Sequence, residues 1–165
     1  MIEAVDFISK ETFGGLLPAG TGWAALSLGN PAEMPPDNLP LFAAALRLEF
    51  MDLTPDTLER YGFPPEVLCQ PEQIAEVASF IQALHANPAP IRLVVHCHMG
   101  LSRSAALALM AHEMTGCAFP RKADAHYANR HLVRLAAAHL GAPLTPPPIP
   151  DLESVHEYLP KALAI

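Results

Sequence analysis

Cys97 and Arg103 are separated by five residues, and this spacing could build a site for a phosphate dianion. The cysteine ends a strand-like run, and the arginine opens a helix-like run. In such a loop, backbone N–H groups converge on an anion, the helix N-terminus adds partial positive charge, and a guanidinium can hold two phosphate oxygens. Because the same field favours thiolate over thiol, we expect Cys97 to act as a nucleophile.

The residues around this pair support the same chemistry. Gly100 lies in the middle of the loop, where a residue without Cβ lets the chain turn tightly and its N–H groups point inward. Ser104 follows the arginine, and its hydroxyl could hydrogen-bond the sulfur when sulfur leaves phosphorus. The phosphate is therefore expected to lie against the loop residues His98, Met99, Gly100, Leu101, Ser102 and Arg103.

The flanking segments are typical of elements that hold such a loop in a buried sheet. The β-branched run that begins at Ile91 is typical of a buried parallel strand, and the apolar segment 105–111 is typical of a central helix. Strands are predicted at 2–8, 23–28, 46–53 and 91–96, and helices at 71–86, 102–115, 123–140 and 152–164. This alternation predicts a single α/β domain over residues 1–165, with a mostly parallel central sheet of four to five strands flanked by helices.

His96, Cys97, Gly100, Arg103 and Ser104 resemble the signature of the cysteine-dependent protein tyrosine and dual-specificity phosphatases. That signature is His-Cys, five variable residues, Arg, then Ser or Thr. From about residue 23 to residue 116 the chain also looks like the compact bacterial tyrosine-phosphatase-like proteins. The resemblance implies a tyrosine-phosphatase-like fold and hydrolysis of phosphomonoesters through a phosphocysteine, with no metal or other cofactor. Phosphotyrosine is the implied substrate, with phosphoserine and phosphothreonine as further candidates.

In that family, a carboxylic acid beside the loop protonates the leaving oxygen. Asp52, close to the end of the predicted strand 46–53, matches the family position better than Asp56 does. Asp56 remains the alternative, because the chain between Asp52 and Cys97 is longer than in the compact dual-specificity enzymes. After transferring its proton, the aspartate would serve as the base for the water that hydrolyses the phosphocysteine.

Supporting roles are predicted for several residues near the loop. His96 is expected either to orient Cys97 through a hydrogen bond or to be a core histidine bonded to a backbone carbonyl. Candidate wall residues of the substrate pocket are Phe50, Tyr61 and Phe63. Neither position 98 nor position 101 is a lysine, which favours a phosphoprotein or a simple phosphomonoester over a phosphoinositide.

Length, charge and cysteine content argue for a single domain and against nucleic-acid and membrane partners. A chain of 165 residues with 51% hydrophobic residues can fill one core. The formal charge of −7 argues against a nucleic-acid partner, since backbone phosphates require a basic face. We expect no membrane partner, because no apolar run reaches spanning length. The N-terminus lacks the order of a signal peptide, and three scattered cysteines do not form a disulfide framework, so the predicted location is the cytoplasm.

Other interpretations of the motif lead to different functions. A phosphate-loop module would bind phosphorylated partners without turning them over, and it would lack a working acid. A sulfur-transfer or redox enzyme could use Cys97 but would not require Arg103 and Ser104 at fixed positions. Cys97 could also be a buried core cysteine. A zinc site at residues 96–98 is disfavoured, because adjacent residues on a strand point to opposite faces.

Overall fold

The computed structural model describes residues 1–18, 20 and 22–150. Within this part of the chain, one sheet is formed by the strands β1 (Ile2–Ser9), β2 (Trp23–Gly29), β3 (Ala44–Glu49) and β4 (Ile91–Cys97). The strand order is β1-β4-β2-β3, and every neighbouring pair is parallel. The predicted α/β class with a parallel central sheet is confirmed.

Helices cover the sheet on both faces, but unequally. They are α1 (Lys10–Gly14), α2 (Pro55–Tyr61), α3 (Pro71–Ala86), α4 (Arg103–Thr115) and α5 (Arg130–Leu140). The main core lies where α3, α4 and α5 pack with sheet residues such as Leu26 and Val95. The alternate positions Ala25 and Val94 belong to a smaller cluster with Phe13 of α1. Successive strand residues thus face opposite sides of the sheet, as β geometry requires.

Several element boundaries differ from the sequence-based predictions. The strand expected at 46–53 ends at Glu49, so Asp52 lies in the loop that follows β3. The helix expected at 123–140 is divided into a 3-10 segment, Lys122–Tyr127, and α5. The division occurs because Oδ1 of Asn129 accepts hydrogen bonds from the N–H groups of His131 and Leu132. Asn129 is thus the N-cap of a new helix. The helix predicted at 152–164 lies outside the described residues.

The sheet places the chemical groups of interest at one edge. Parallel strands direct their carboxyl ends to the same side, and ligand sites of α/β proteins form there. Asn30 follows β2, Asp52 lies after β3, and the loop 98–102 runs from the end of β4 into α4. Within the described residues, no helix is long and apolar enough to cross a membrane.

Candidate active site

The loop between β4 and α4 depends on Gly100. This residue has φ of +68°, in the left-handed region that favours glycine. A Cβ at this position would collide with the backbone of Ile8 and Ser9 at the end of β1. The first residue of α1, directly after β1, is hydrogen-bonded to the loop here, since the N–H of Lys10 donates to the carbonyl of His98 at 3.2 Å. The loop is therefore held in its turn by the junction of β1 and α1 as well as by its own sequence.

Cys97 lies at the bottom of this loop and is 1% exposed. Its Sγ is 3.1 Å from the Oγ of Ser104, and the N–H of Gly100 donates to it at 3.3 Å. Both contacts would stabilise a negative sulfur, because hydroxyl and amide N–H groups are hydrogen-bond donors. The structure therefore places Ser104 where the sequence predicts it, against the sulfur.

The guanidinium of Arg103 is held from one side. Its Nη1 donates to the carbonyl of Phe50 at 2.7 Å and to Oδ1 of Asn30 at 3.1 Å. Arg103 is 2% exposed, and its buried Nε has no hydrogen-bond partner. Because both bonds use Nη1, the Nε edge of the guanidinium is left for an incoming anion. That edge can hold two oxygens of a phosphate.

Backbone N–H groups of the loop are also left without acceptors. The N–H groups of Met99, Leu101, Ser102 and Arg103 donate no hydrogen bond to any described residue. They lie at the N-terminus of α4, where the helix dipole adds partial positive charge. Unpaired N–H groups at such a position form a ready site for an anion. The arrangement agrees with the predicted phosphate site.

Asp52 is brought against the loop from β3. Its Oδ1 accepts a hydrogen bond of 2.7 Å from the hydroxyl of Ser102, and its Oδ2 lies 3.8 Å from Nε of Arg103. The side chain is 34% exposed, so a bound substrate could reach it. Of the two aspartates left open by the sequence, Asp52 is the one at the site. Asp56 lies in the first turn of α2 and is exposed.

Asn129 is a site residue that the sequence did not reveal. Its Nδ2 donates to Oδ1 of Asp52 at 2.7 Å and to the carbonyl of Leu53 at 3.3 Å. Its backbone N–H donates to the carbonyl of Ser102 at 3.1 Å. Its Oδ1 caps the N-terminus of α5. This buried residue therefore holds Asp52, the loop between β4 and α4, and α5 in fixed positions relative to one another. The one signal in the sequence is its residue type, since asparagine is a preferred N-cap residue.

His96 does not orient Cys97, and the prediction that it might do so through a hydrogen bond is wrong. Its Nε2 is bonded to Oγ of Ser27 on β2 at 2.7 Å, and its buried Nδ1 has no partner. The two adjacent side chains alternate across the strand, which explains the result. The alternative, a backbone carbonyl partner, is also replaced by the Ser27 hydroxyl. The ring packs on Phe13 of α1, with centroids 4.1 Å apart.

Burial and nearby cations keep His96 neutral. Its pKa is lowered to about 4, first because burial penalises the imidazolium and then because Arg47 and Lys10 are positive. Arg47 also donates to Oγ of Ser27 at 3.0 Å, so the histidine belongs to a buried network below the loop. We therefore assign His96 a structural role.

A second polar network positions Asn30, the partner of Arg103. The N–H of Asn30 donates to Oε2 of Glu33 at 2.9 Å, and Nζ of Lys10 donates to Oε1 of the same carboxylate at 2.6 Å. Although burial alone would raise the pKa of Glu33, the Asn30 N–H and the Lys10 cation lower it to about 2. At neutral pH the Glu33 side chain is therefore ionised, and it stabilises the turn after β2 through its hydrogen bond with Asn30.

None of the three predicted wall residues lines the cavity beside Asp52. Phe50 is 1% exposed and belongs to the core, so it contributes its carbonyl to Arg103 and not a wall. Tyr61 and Phe63 are exposed, but neither lines the cavity beside Asp52. That cavity is lined by α2 residues such as Thr57 and by Tyr127 of the 3-10 segment, two elements that the sequence did not predict as such.

No protein-family model, no curated protein and no solved structure matches this chain. The chemistry of the site is therefore inferred from its own residues.

Proposed function

We propose that the protein is a cysteine-dependent phosphatase that hydrolyses phosphomonoesters through a phosphocysteine. Phosphotyrosine in proteins is the proposed substrate, with phosphoserine and phosphothreonine as further ones, and the cytoplasm is the proposed location. The observation that carries the proposal is the bond between Asp52 and Ser102, 2.7 Å long, which brings a carboxyl group to the mouth of the loop. A nucleophile, an anion site and an acid thereby meet within one site.

In the first step, the Cys97 thiolate attacks phosphorus in line with the leaving oxygen. The loop N–H groups and the Nε edge of Arg103 bind the three non-bridging oxygens and stabilise their charge. Oδ1 of Asp52 already accepts bonds from Ser102 and Asn129, so Oδ2 is the oxygen that carries the proton to the leaving group. The product is a phosphocysteine and a free hydroxyl compound.

In the second step, water hydrolyses the phosphocysteine. The Asp52 carboxylate accepts a proton from this water, which attacks phosphorus on the side that the leaving group has vacated. Sulfur departs as a thiolate, and the Ser104 hydroxyl, 3.1 Å from Sγ, donates a hydrogen bond to it. Inorganic phosphate leaves, and the enzyme returns to its starting state.

The position of Asp52 distinguishes a phosphatase from the alternative function, a module that binds phosphorylated partners without turning them over. A module that only binds phosphorylated partners would need the loop and Arg103 but no carboxyl group at the mouth. A fixed carboxylate there would repel a bound phosphate unless it is protonated or transfers a proton. The position of Asp52 therefore favours turnover over simple binding.

Hydrolysis of p-nitrophenyl phosphate in EDTA tests the proposal. Wild type should release phosphate, and acid quenching during turnover should trap phosphate on the peptide that contains Cys97. The Cys97→Ser variant should lose turnover but still bind phosphate or tungstate, since a hydroxyl is a much weaker nucleophile than a thiolate. Cys117→Ser, the same exchange at a buried cysteine beyond the far end of α4, is the matched control.

Two results would contradict the proposal, and a third would show that these variants do not test it. Near-wild-type turnover by Cys97→Ser would exclude the cysteine as the nucleophile. Phosphate binding by wild type without any turnover would identify a binding module instead. Loss of activity in Cys117→Ser equal to that in Cys97→Ser would show that the exchange damages the fold and not the chemistry.

A further inference from the structure

A groove leads away from the catalytic loop along α5. One cavity, of about 330 Å³, is bounded by Asp52, Ser102 and Thr57. A second cavity, of about 570 Å³, runs along α5 to the proline-rich segment. The two share the lining residues His126, Ala128, Arg130 and Ile149, so they adjoin each other. We call the joined space the α5 groove.

Two arginines on α5 line this groove and have no partner in the described chain. Arg130 borders both cavities, and Arg134 borders the second. Both are exposed. Neither takes part in any ion pair, side-chain hydrogen bond or cation–π contact among the described residues.

The other described cations are all engaged. Five of them form ion pairs, and two lie over aromatic rings. The five are Lys10, Arg47, Arg103, Arg121 and Lys122, and the two are Arg60 and Arg92. In a chain of charge −7, carboxylates are plentiful, so two arginines without one stand out. Arg130 lines the same cavity as Asp52, the proposed general acid, and is therefore accessible to whatever is attached to the phosphate, while Arg134 lies farther along the groove.

The spacing of the two arginines fits an extended acidic peptide. Residues four apart on a helix lie on one face, with Cβ atoms about 5–6 Å apart. Side chains two apart on an extended strand lie on one face about 6.6–6.8 Å apart. Arg130 and Arg134 could therefore pair with two acidic side chains separated by one residue.

We propose that the α5 groove binds an acidic segment of the phosphoprotein substrate, with an acidic-x-acidic pattern near the phosphorylated residue. The inference rests on the proposed phosphatase function and names the substrate class of that site. Arg130 and Arg134 pair with the two carboxylates, and the apolar wall at Leu144 and Ile149 receives the residue between them or beside them. The substrate is thus selected by charge as well as by its phosphate.

A panel of phosphotyrosine peptides tests this inference. One peptide is neutral, and the others carry Glu-x-Glu at increasing distances on either side of the phosphotyrosine, each matched by a Gln-x-Gln peptide. Wild type should show a higher kcat/KM for at least one Glu-x-Glu peptide than for its match, by about threefold to tenfold for two exposed ion pairs. The difference should lie in KM and should shrink as salt rises, because exposed charges are screened.

Variants locate the effect. Arg130→Gln and Arg134→Gln should each reduce the preference, and the double variant should remove it. Arg92→Gln is the matched control, since Arg92 is exposed but lies near the start of β4, at the end of the strand away from the loop. This control should keep the full preference.

The outcomes separate the two proposals. If wild type hydrolyses neither p-nitrophenyl phosphate nor any peptide, the phosphatase function is wrong. If it hydrolyses all peptides with equal kcat/KM, the function stands and the groove inference is overturned.

Discussion

The amide of Asn129 donates a hydrogen bond of 2.7 Å to Oδ1 of Asp52, across 77 residues of sequence. The same side chain caps α5 through its Oδ1, and the backbone N–H of the residue binds the carbonyl of Ser102. One residue thus joins the proposed acid, the loop between β4 and α4, and the helix that lines the α5 groove. Because each of its groups has a different partner, substitutions can separate these contributions.

Replacement of Asn129 should show that it positions the acid. Asn129→Ser keeps a good N-cap but removes the amide donor, so stability should change little while turnover of phenyl phosphate falls by roughly tenfold to a hundredfold. p-Nitrophenyl phosphate should be affected less, because its leaving group needs less help from an acid. Asn129→Ala should lose turnover similarly and also about 1 kcal/mol of stability. Equal losses on both substrates by Asn129→Ser would argue against a role through Asp52.

The two aspartates should behave differently. Asp52→Asn should lower turnover of phenyl phosphate by roughly two to four orders of magnitude, with a smaller loss on p-nitrophenyl phosphate. Asp56→Asn should leave both rates unchanged and cost about 0.3–1 kcal/mol of stability, because it removes a negative charge from the first turn of α2. Steady-state rates and urea unfolding of both variants provide the comparison. A wild-type rate of Asp52→Asn on phenyl phosphate would remove Asp52 from the mechanism.

Gly100→Ala should destabilise the fold by more than the strain of placing alanine at a positive φ alone. The added Cβ would meet the backbone of Ile8 and Ser9, so a strand or the loop must move, with an expected cost of more than about 3 kcal/mol. Gly62→Ala is the control, because Gly62 also has φ of +68° but nothing within 4 Å of its Cβ position. It should cost about 1–2 kcal/mol and keep activity. Equal unfolding free energies for the two variants would contradict the proposed close contact.

The parts of the site that are contiguous in sequence could be predicted, and the parts that depend on tertiary contacts could not. The segment from Cys97 to Ser104 contains the proposed nucleophile, the turn and the helix start within one stretch, and the strand before it is strongly apolar. Asn129 lies on a different element, and its contact with Asp52 exists only because α5 packs on α4. No local pattern encodes such a contact.

The role of His96 differs from the predicted one for a related reason. Its partner Ser27 stands directly opposite on β2, a pairing that requires the strand order in which β4 lies between β1 and β2. Hydrophobic periodicity locates strands but does not order them. Short elements such as α2, with seven residues and no buried side chain, also lack the apolar stripe by which helices are recognised.

The neutral His96 should make the fold less stable in mild acid. Its pKa in the folded chain, about 4, lies below its ordinary value of 6.5, so the unfolded chain binds the proton more readily between these values. The free energy of unfolding should therefore be highest above pH 6.5 and should fall as the pH drops toward 4. From pH 7 to pH 5 the expected loss is about 2 kcal/mol. Glu33, whose pKa is about 2, should add its own loss only below pH 4.5.

Urea unfolding at pH 7 and pH 5 measures this loss. His96→Asn should remove most of it, because an amide does not titrate, whereas His139→Gln at an exposed position of α5 should retain it. If His96→Asn does not fold, NMR titration of the His96 ring in wild type provides the same information. A ring that titrates near its ordinary value would show that the imidazolium is tolerated at this site, and the buried network of Ser27 and Arg47 would then have to accommodate the charge.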